Sequence, residues 1–369
     1  MPNTFLTPDI IAREALMVLR NNAVMANLVH RDYSSEFAAV GDTITVRKPA
    51  KFTANEYNGS TISVQDATEG SVAVKMDKHL DVSFAVTSKQ LTLDIKDFSA
   101  QLLVPAMQAF ADKVDGYLLG LAADVDHRVE HTTGAMSADD IVDARKFLTN
   151  SAVPLTERRF VIGADAEADL LKETKFIEAD KVGDAGTALR EASLGRKFGF
   201  DIYVDQNAGS YDSGSTVSTT ALKINGAVTA ATTIALDATA VTGKIAKGTW
   251  LKIGDDFYQV TADATASSNA FASVKVNKAV TAADNADVTV LATSKPSLAF
   301  HKNAFALVTR PLALPKGAAN TAIVNYDGFA LRVVYGYDMN TKTDTVSIDM
   351  LCGVKTLDAN LAAVIDDVR

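Results

Sequence analysis

The sequence predicts an α+β body into which a small all-β barrel has been inserted, and three observations predict it. Leu103, Met107, Phe110, Val114, Leu118, Leu121 and Val125 recur at intervals of three and four residues, as the buried stripe of one long helix does. Val72, Val74, Met76, Val82, Phe84 and Val86 alternate with other residues, the period of a half-buried strand. From Ser218 to Thr293 the composition changes abruptly: 18 of 76 residues are Ala and 13 are Thr, there is no Arg, Glu, His or Pro, and six Lys balance six Asp. The formal net charge of −9 therefore belongs to the rest of the 369-residue chain.

In order along the chain, Thr7 as N-cap and Pro8 at the first helical position open a helix from Asp9 to about Arg20, with Ile11, Ala15, Val18 and Leu19 on one face. Thr43–Val46 and Val72–Val86 then read as the arms of a long hairpin. Between them lies the polar stretch Lys51–Gly70, where Asn58-Gly59 marks a turn. Arms of about 15 to 20 residues at roughly 3.3 Å each reach about 50 to 65 Å, so such an arm is expected to bury itself on another molecule. In the stripe helix, Pro105 sits either in the first turn or at a kink after a turn from Ser99. Ser137 and Asp140 suit a capping box for a second helix, which ends by Asn150 ahead of Pro154. Arg159–Ile162 reads as a strand, Asp165 as the cap of a helix Ala166–Lys172, and Asp201–Asp205 as another strand.

A Gly/Ser-rich stretch, Gly209–Ser215, leads into the compositional island. Thr233–Leu236, Trp250–Ile253, Phe257–Val260, Val274–Val276 and Val288–Val290 are short strands separated by turn signals such as Gly254-Asp255-Asp256, the spacing of a small barrel or sandwich. Its core is expected from Ile234, Leu236, Trp250, Ile253, Tyr258, Val260, Val274 and Val276. Body strands resume around Phe305–Val308, Phe329–Tyr337 and Thr345–Gly353.

Composition excludes several function classes. With 36 Lys and Arg against 45 Asp and Glu, and pI ≈ 5.1, the chain opposes non-specific attachment to phosphate or anionic lipid. Cys352 is the one cysteine, so no internal disulfide and no cysteine metal framework is expected. No run of about 18 apolar residues escapes charge, and the first residues do not read as a signal peptide, so no membrane association is expected.

His127-Arg128-Val129-Glu130-His131 matches H-x-x-E-H, which on a helix would place two histidines and a glutamate around zinc. A zinc metallohydrolase using His127, Glu130 and His131 is thus the enzyme alternative. Thr132-Thr133-Gly134 would end that helix at once, and histidines in a last turn also complement the helix dipole. Gly183–Gly186 and Gly195–Gly199 do not match a phosphate-binding fingerprint and read as turns. Asp255, Asp256, Asp263, Asp284 and Asp287 lack calcium-loop spacing and read as solvated turn carboxylates. Arg158-Arg159 and Arg196-Lys197 are too short for a nucleic-acid stripe; solvent or subunit salt bridges account for them. No catalytic, cofactor-binding or metal-binding residue is assigned, and no cofactor is expected.

An ordered set of short segments carries a resemblance over nearly the whole chain. Gly41-Asp42-Thr43-Ile44-Thr45-Val46 opens the hairpin; Phe84-Ala85-Val86-Thr87 and Leu91–Phe98 lead into Pro105 and Val114-Asp115. Arg159–Gly163, Leu189-Arg190-Glu191-Ala192, Leu194-Gly195 and Gly199–Val204 follow, and after the insertion come Leu298–Ala306 and Cys352-Gly353-Val354-Lys355. In this order they resemble the major capsid proteins of tailed bacteriophages with the HK97-like fold, in particular the podophage coat-protein subfamily with an inserted β-barrel.

The resemblance implies an N-terminal arm over residues 1–39, an E-loop hairpin over 40–90, and a peripheral domain with a spine helix over 91–160. An axial domain with returning body strands would take 161–217 and 294–369, interrupted by the inserted barrel, 218–293. By the same analogy the E-loop proper is Thr43–Val86 and the spine Ser99–Val129. The implied function is a non-enzymatic shell subunit, assembling as homo-oligomeric pentamers and hexamers around packaged double-stranded DNA without sequence-specific binding. Scaffolding and portal proteins, with a decoration protein as a further candidate, are the implied partners; the implied location is the virion capsid, assembled in the bacterial host cytoplasm. An encapsulin-like compartment of the same fold is the structural alternative. Some members cross-link a lysine to a neighbour's asparagine, but no residue is assigned that role here.

Overall fold

A computed structural model describes residues 8–31, 43–47, 54, 56, 71–87, 102–131, 135–178, 191–208, 211–218, 221–315, 320–326, 328–339 and 343–367. The expected cap Thr7, the Asn58-Gly59 turn with most of Lys51–Gly70, Leu91–Phe98 and Gly183–Gly186 lie outside these residues. The chain divides into two compact units, Met1–Leu118 with Phe305–Leu357, and Leu119–Ala304 with Asp358–Arg369.

The first unit is built on an antiparallel five-stranded sheet. Its axis is the strand Thr343–Thr356, whose Thr343–Cys352 pairs along one edge with Lys78–Thr87. Other residues of this strand pair with Phe329–Asp338 and Phe305–Arg310, and Asn320–Tyr326 forms the outer edge beyond Phe329–Asp338. Helix Pro8–Asn22 packs against the strands Asn320–Tyr326 and Phe329–Asp338, burying Ile11, Ala12, Ala15, Leu16 and Leu19.

The stripe helix runs Val104–Leu119, with Pro105 in its first turn, where a missing N–H costs nothing. Leu103, Met107, Phe110, Val114 and Leu118 are all buried. Beyond Leu119 the structure corrects the expected spine. Gly120–Asp124 tightens into a 3-10 turn and the backbone is extended at Val125, so Leu121 and Val125 keep the spacing of the stripe without continuing the helix. Asp115 on this helix is buried. Its carboxylate accepts the backbone N–H groups of Val24 and Ala26 at 2.8 Å each, satisfying donors at the start of the short helix Met25–Leu28.

The hairpin also departs from expectation. Thr43–Arg47 pairs with Ser71–Lys75, but the chain then breaks at Met76-Asp77, and Lys78–Thr87 belongs to the body sheet. Val74 and Met76 are buried with Ala306, Val308 and Leu357, so the base of the hairpin finds its burial on its own unit. Gly353 makes this approach possible, because a Cβ there would stand 2.4 Å from the carbonyl oxygen of Lys75.

The second unit contains a mixed seven-stranded sheet. In order across it lie Arg128–His131, Ala362–Asp367, Thr293–His301, Arg158–Ile162, Phe200–Val204 and Arg196–Lys197, with Tyr211-Asp212 paired to Thr293-Ser294. Helix Ala138–Asn150 opens with the expected capping box of Ser137 and Asp140. Helix Ala164–Lys172 is capped at Gly163, and Asp165 lies in its first turn instead of at the cap. Ile141, Leu148, Phe160, Ile162, Leu170 and Phe200 are among the core residues of this sheet and its helices.

The inserted residues form a nearly closed barrel. Six strands follow in the order Asp256–Gln259, Trp250–Ile253, Asp287–Leu291, Leu222–Ile224, Val228–Asp237 and Ala270–Ala282. The Val260–Val276 bridge links the two ends of that row. Closure hides the edge strands that an open sheet would expose. Ile234, Leu236, Ile253, Tyr258, Val260, Val274 and Val276 fill the core as expected. Trp250 does not; it clusters separately with Phe257 and Leu291.

Phe110→Ala should destabilise the subunit by about 3 to 5 kcal/mol, the usual cost of emptying a buried aromatic site. Asp112→Ala, on the exposed face of the same helix, should leave the urea midpoint nearly unchanged; equal losses in the two variants would contradict this packing.

Candidate functional site

The residues expected to carry zinc chemistry do not lie on a helix. Arg128–His131 is a strand paired in parallel with Val364–Asp367. Four steps of strand separate His127 from His131 by about 13 Å of backbone, where one helical turn would have brought them within about 6 Å. His127 has another use: its ring stacks on Phe147 with centroids 3.6 Å apart, and its Nε2 lies 3.4 Å from Asn360 Oδ1. Burial lowers its pKa below the ordinary 6.5, against the Asn360 hydrogen bond and the Asp126 charge, which raise it. Among the described residues no group of three His, Cys, Asp or Glu is placed to hold a metal ion.

Between the two histidines sits the residue that sequence reasoning passed over. Arg128 is buried, and four of its five guanidinium N–H groups are engaged. Nε and Nη2 donate to the two oxygens of Asp366 at 2.5 and 2.8 Å, while Nη1 donates to the carbonyls of Ala122 at 3.0 Å and Val125 at 3.4 Å. Trp250 of the barrel lies over its face, 4.3 Å from ring centroid to guanidinium carbon. The sequence signal was weak, because three of the four residues of the strand Arg128–His131 are charged or polar and one more charge among them does not stand out.

Arg158 also corrects the expectation of solvent or subunit salt bridges. It is buried and donates to the carbonyls of Pro154 and Val153 and to the Thr149 hydroxyl, pinning the loop after helix Ala138–Asn150. The turn aspartates serve locally. Asp263 accepts the Lys247 N–H at 2.7 Å, which with Lys244 holds its pKa low, and Asp284 accepts the Gly226 N–H at 2.8 Å. Gly195 and Gly199 both have positive φ, and Gly199 closes the hairpin between Arg196-Lys197 and Phe200–Val204, as the turn reading expected. The thiol of Cys352 is buried and its pKa is pushed up to about 12, which removes it as a nucleophile.

The first unit presents an open groove of about 590 Å³ between helix Pro8–Asn22 and the strand Asn320–Tyr326, lined by Asp9, Arg13, Met17, Arg20, Ile323 and Tyr326 among others. Met17 is 63% and Tyr326 59% exposed, and the outer edge of this strand has no partner strand among the described residues. Its charges are mutually engaged, Arg13 with Asp9 at 3.0 Å, and Arg20 over the Tyr326 ring. Nothing there resembles a catalytic constellation. No described helix is long and apolar enough to cross a membrane.

A depressed histidine pKa means that the unfolded chain takes up the proton more readily. The stability due to neutral His127 is therefore complete above about pH 6.5 and is lost as pH falls through that value towards the lower folded pKa. The urea midpoint of the native chain should fall from about pH 7.5 to about pH 5.5. His127→Phe, which keeps a ring against Phe147, should flatten that fall, and an unchanged pH profile would refute the assignment.

No protein-family model matches the chain, and no curated protein matches it in sequence. Solved structures do match it in fold. A chain from Mycobacterium phage Che8 aligns at 18% identity and TM-score 0.53, over 93% of this chain and 90% of that one. A chain from the capsid of cyanophage P-SCSP1u aligns at 14% identity and TM-score 0.50, over 94% and 88%. The architecture built here from its own strands and helices is therefore one that bacteriophage proteins share, a phage capsid chain among them.

Proposed function

We propose that this chain is the major capsid protein of a tailed bacteriophage, a structural subunit that assembles with copies of itself into a closed icosahedral shell around double-stranded DNA. The observation that carries the reading is the fold likeness to phage chains over more than nine-tenths of the sequence. In the HK97-like scheme, residues 1–39 are the N-terminal arm, 40–90 the E-loop, 91–160 the peripheral domain with Val104–Leu119 as spine, 161–217 with 294–369 the axial domain, and 218–293 the inserted barrel. The subunit forms pentamers and hexamers, with scaffolding and portal proteins in assembly, a decoration protein as a further partner, and the host cytoplasm as the place of assembly.

Two features support a container without catalysis. A net charge of −9 lets the shell enclose DNA without adhering to it, leaving the packaged molecule mobile. Exposed Met17 and Tyr326, beside a sheet edge with no partner strand among the described residues, supply the apolar contact that a self-associating subunit buries against another copy. An encapsulin-like shell around protein cargo has less support, because the fold likenesses given above are to phage chains. The zinc alternative lost its helix; purified protein is expected to carry less than about a tenth of an equivalent of zinc, and a full equivalent would revive it.

Sedimentation of the chain co-expressed with its neighbouring genes should show very large particles. A strictly monomeric protein under those conditions would sink the capsid reading.

A further inference from the structure

Trp250 is on the outer side of its barrel and is nevertheless buried. In the strand Trp250–Ile253, Leu251 and Ile253 belong to the barrel core, so alternation turns Trp250 outward, beside its cross-strand neighbours Gln259 and Leu291. Its exposure is only 2%. Phe257 and Leu291 of the barrel cover part of it, and the rest of the cover comes from the segment that follows the long helix. Arg128 lies on the indole at 4.3 Å, Gln259 Nε2 donates to the Ala123 carbonyl at 3.1 Å, and Asn277 Nδ2 donates to Asp126 Oδ1 at 3.0 Å. Residues 122–128 are thus a docking strip for one face of the barrel. A second attachment lies at the root of the insertion, where Tyr211-Asp212 pairs with Thr293-Ser294 and the Ser213 N–H donates to the Ala292 carbonyl at 2.9 Å.

We propose that Trp250 on the Arg128 guanidinium is a latch, which holds the barrel in one orientation on the docking strip and, when released, lets the barrel swing as an intact unit on its two-stranded root. Three features make the latch separable from the barrel's own stability. Trp250 is not part of the barrel core, so undocking leaves that core closed. Arg128 stays satisfied by Asp366 and by the Ala122 and Val125 carbonyls whether or not the indole covers it, so release strands no buried charge. The docked state also carries a cost that release removes: the buried Trp250 Nε1–H has no hydrogen-bond partner among the described residues, and water would supply one. The binding contacts are therefore few, and part of their gain is offset.

Trp250 is the chain's one tryptophan, so its fluorescence reads the latch directly in the full-length subunit. In Arg128→Met, acrylamide quenching of Trp250 should rise several-fold with a red-shifted emission, while amides of Leu236, Leu251 and Val274 keep their protection from hydrogen exchange. An indole as shielded as in the native chain would overturn the proposal, as would loss of barrel protection together with the indole. Because Arg128→Met strands the Asp366 carboxylate and can block folding, the double variant Gln259→Ala, Asn277→Ala gives an independent reading through the rim of the dock. Increased quenching with the barrel intact supports the latch, and native quenching there contradicts it.

Discussion

A guanidinium taken out of water must have its donors used, and meeting that requirement at Arg128 shapes much of the second unit. Asp366 supplies both carboxylate oxygens from the strand Ala362–Asp367, the carbonyls of Ala122 and Val125 supply two more acceptors from the turn before Arg128, and the barrel supplies the aromatic lid. Segments more than a hundred residues apart in sequence are brought to one point. Buried ion pairs add little net stability compared with apolar packing, but breaking one is costly, so the pair acts chiefly by excluding other arrangements. Asp115 plays the matching part in the first unit, where a buried carboxylate is tolerated because two backbone N–H groups of the N-terminal segment converge on it.

Local periodicity made most elements legible. The capping box at Ser137, the stripe from Leu103 to Leu118 and seven of eight expected barrel-core residues follow from patterns of a few residues each. Part of what failed did so because a pattern states which residues avoid water without stating what covers them. Trp250 and Leu251 are adjacent and both buried, so alternation could not say which one faced the barrel core. Leu121 and Val125 keep the helical spacing in sequence although Gly120–Asp124 is a 3-10 turn and Val125 is extended, because spacing alone does not mark where a helix stops. The alternation through Val72–Val86 concealed a break at Met76-Asp77, since both halves are strands and only their partners differ.

The charged residues were the least legible. His127 and His131 matched a motif whose chemistry depends on helical spacing, and pairing with Val364–Asp367 gives them strand spacing. Arg158 read as a solvent or subunit charge and Arg128 carried no assignment, yet both are buried, with backbone carbonyls five or six residues away in sequence accepting their hydrogen bonds. The likeness to phage chains persists at 14 to 18% identity because a fold of this kind needs the order of apolar periods and turns more than it needs particular residues. In the proposed shell the acidic charge, and the sheet edge that has no partner strand among the described residues, are the features a subunit would use.

Electron cryomicroscopy of particles from cells that express the chain with its neighbouring genes tests the central claim most directly. The account predicts closed icosahedral shells in which every subunit carries density for the inserted barrel in one fixed orientation. Dispersed subunits, or shells whose building block does not fit this fold, would contradict it.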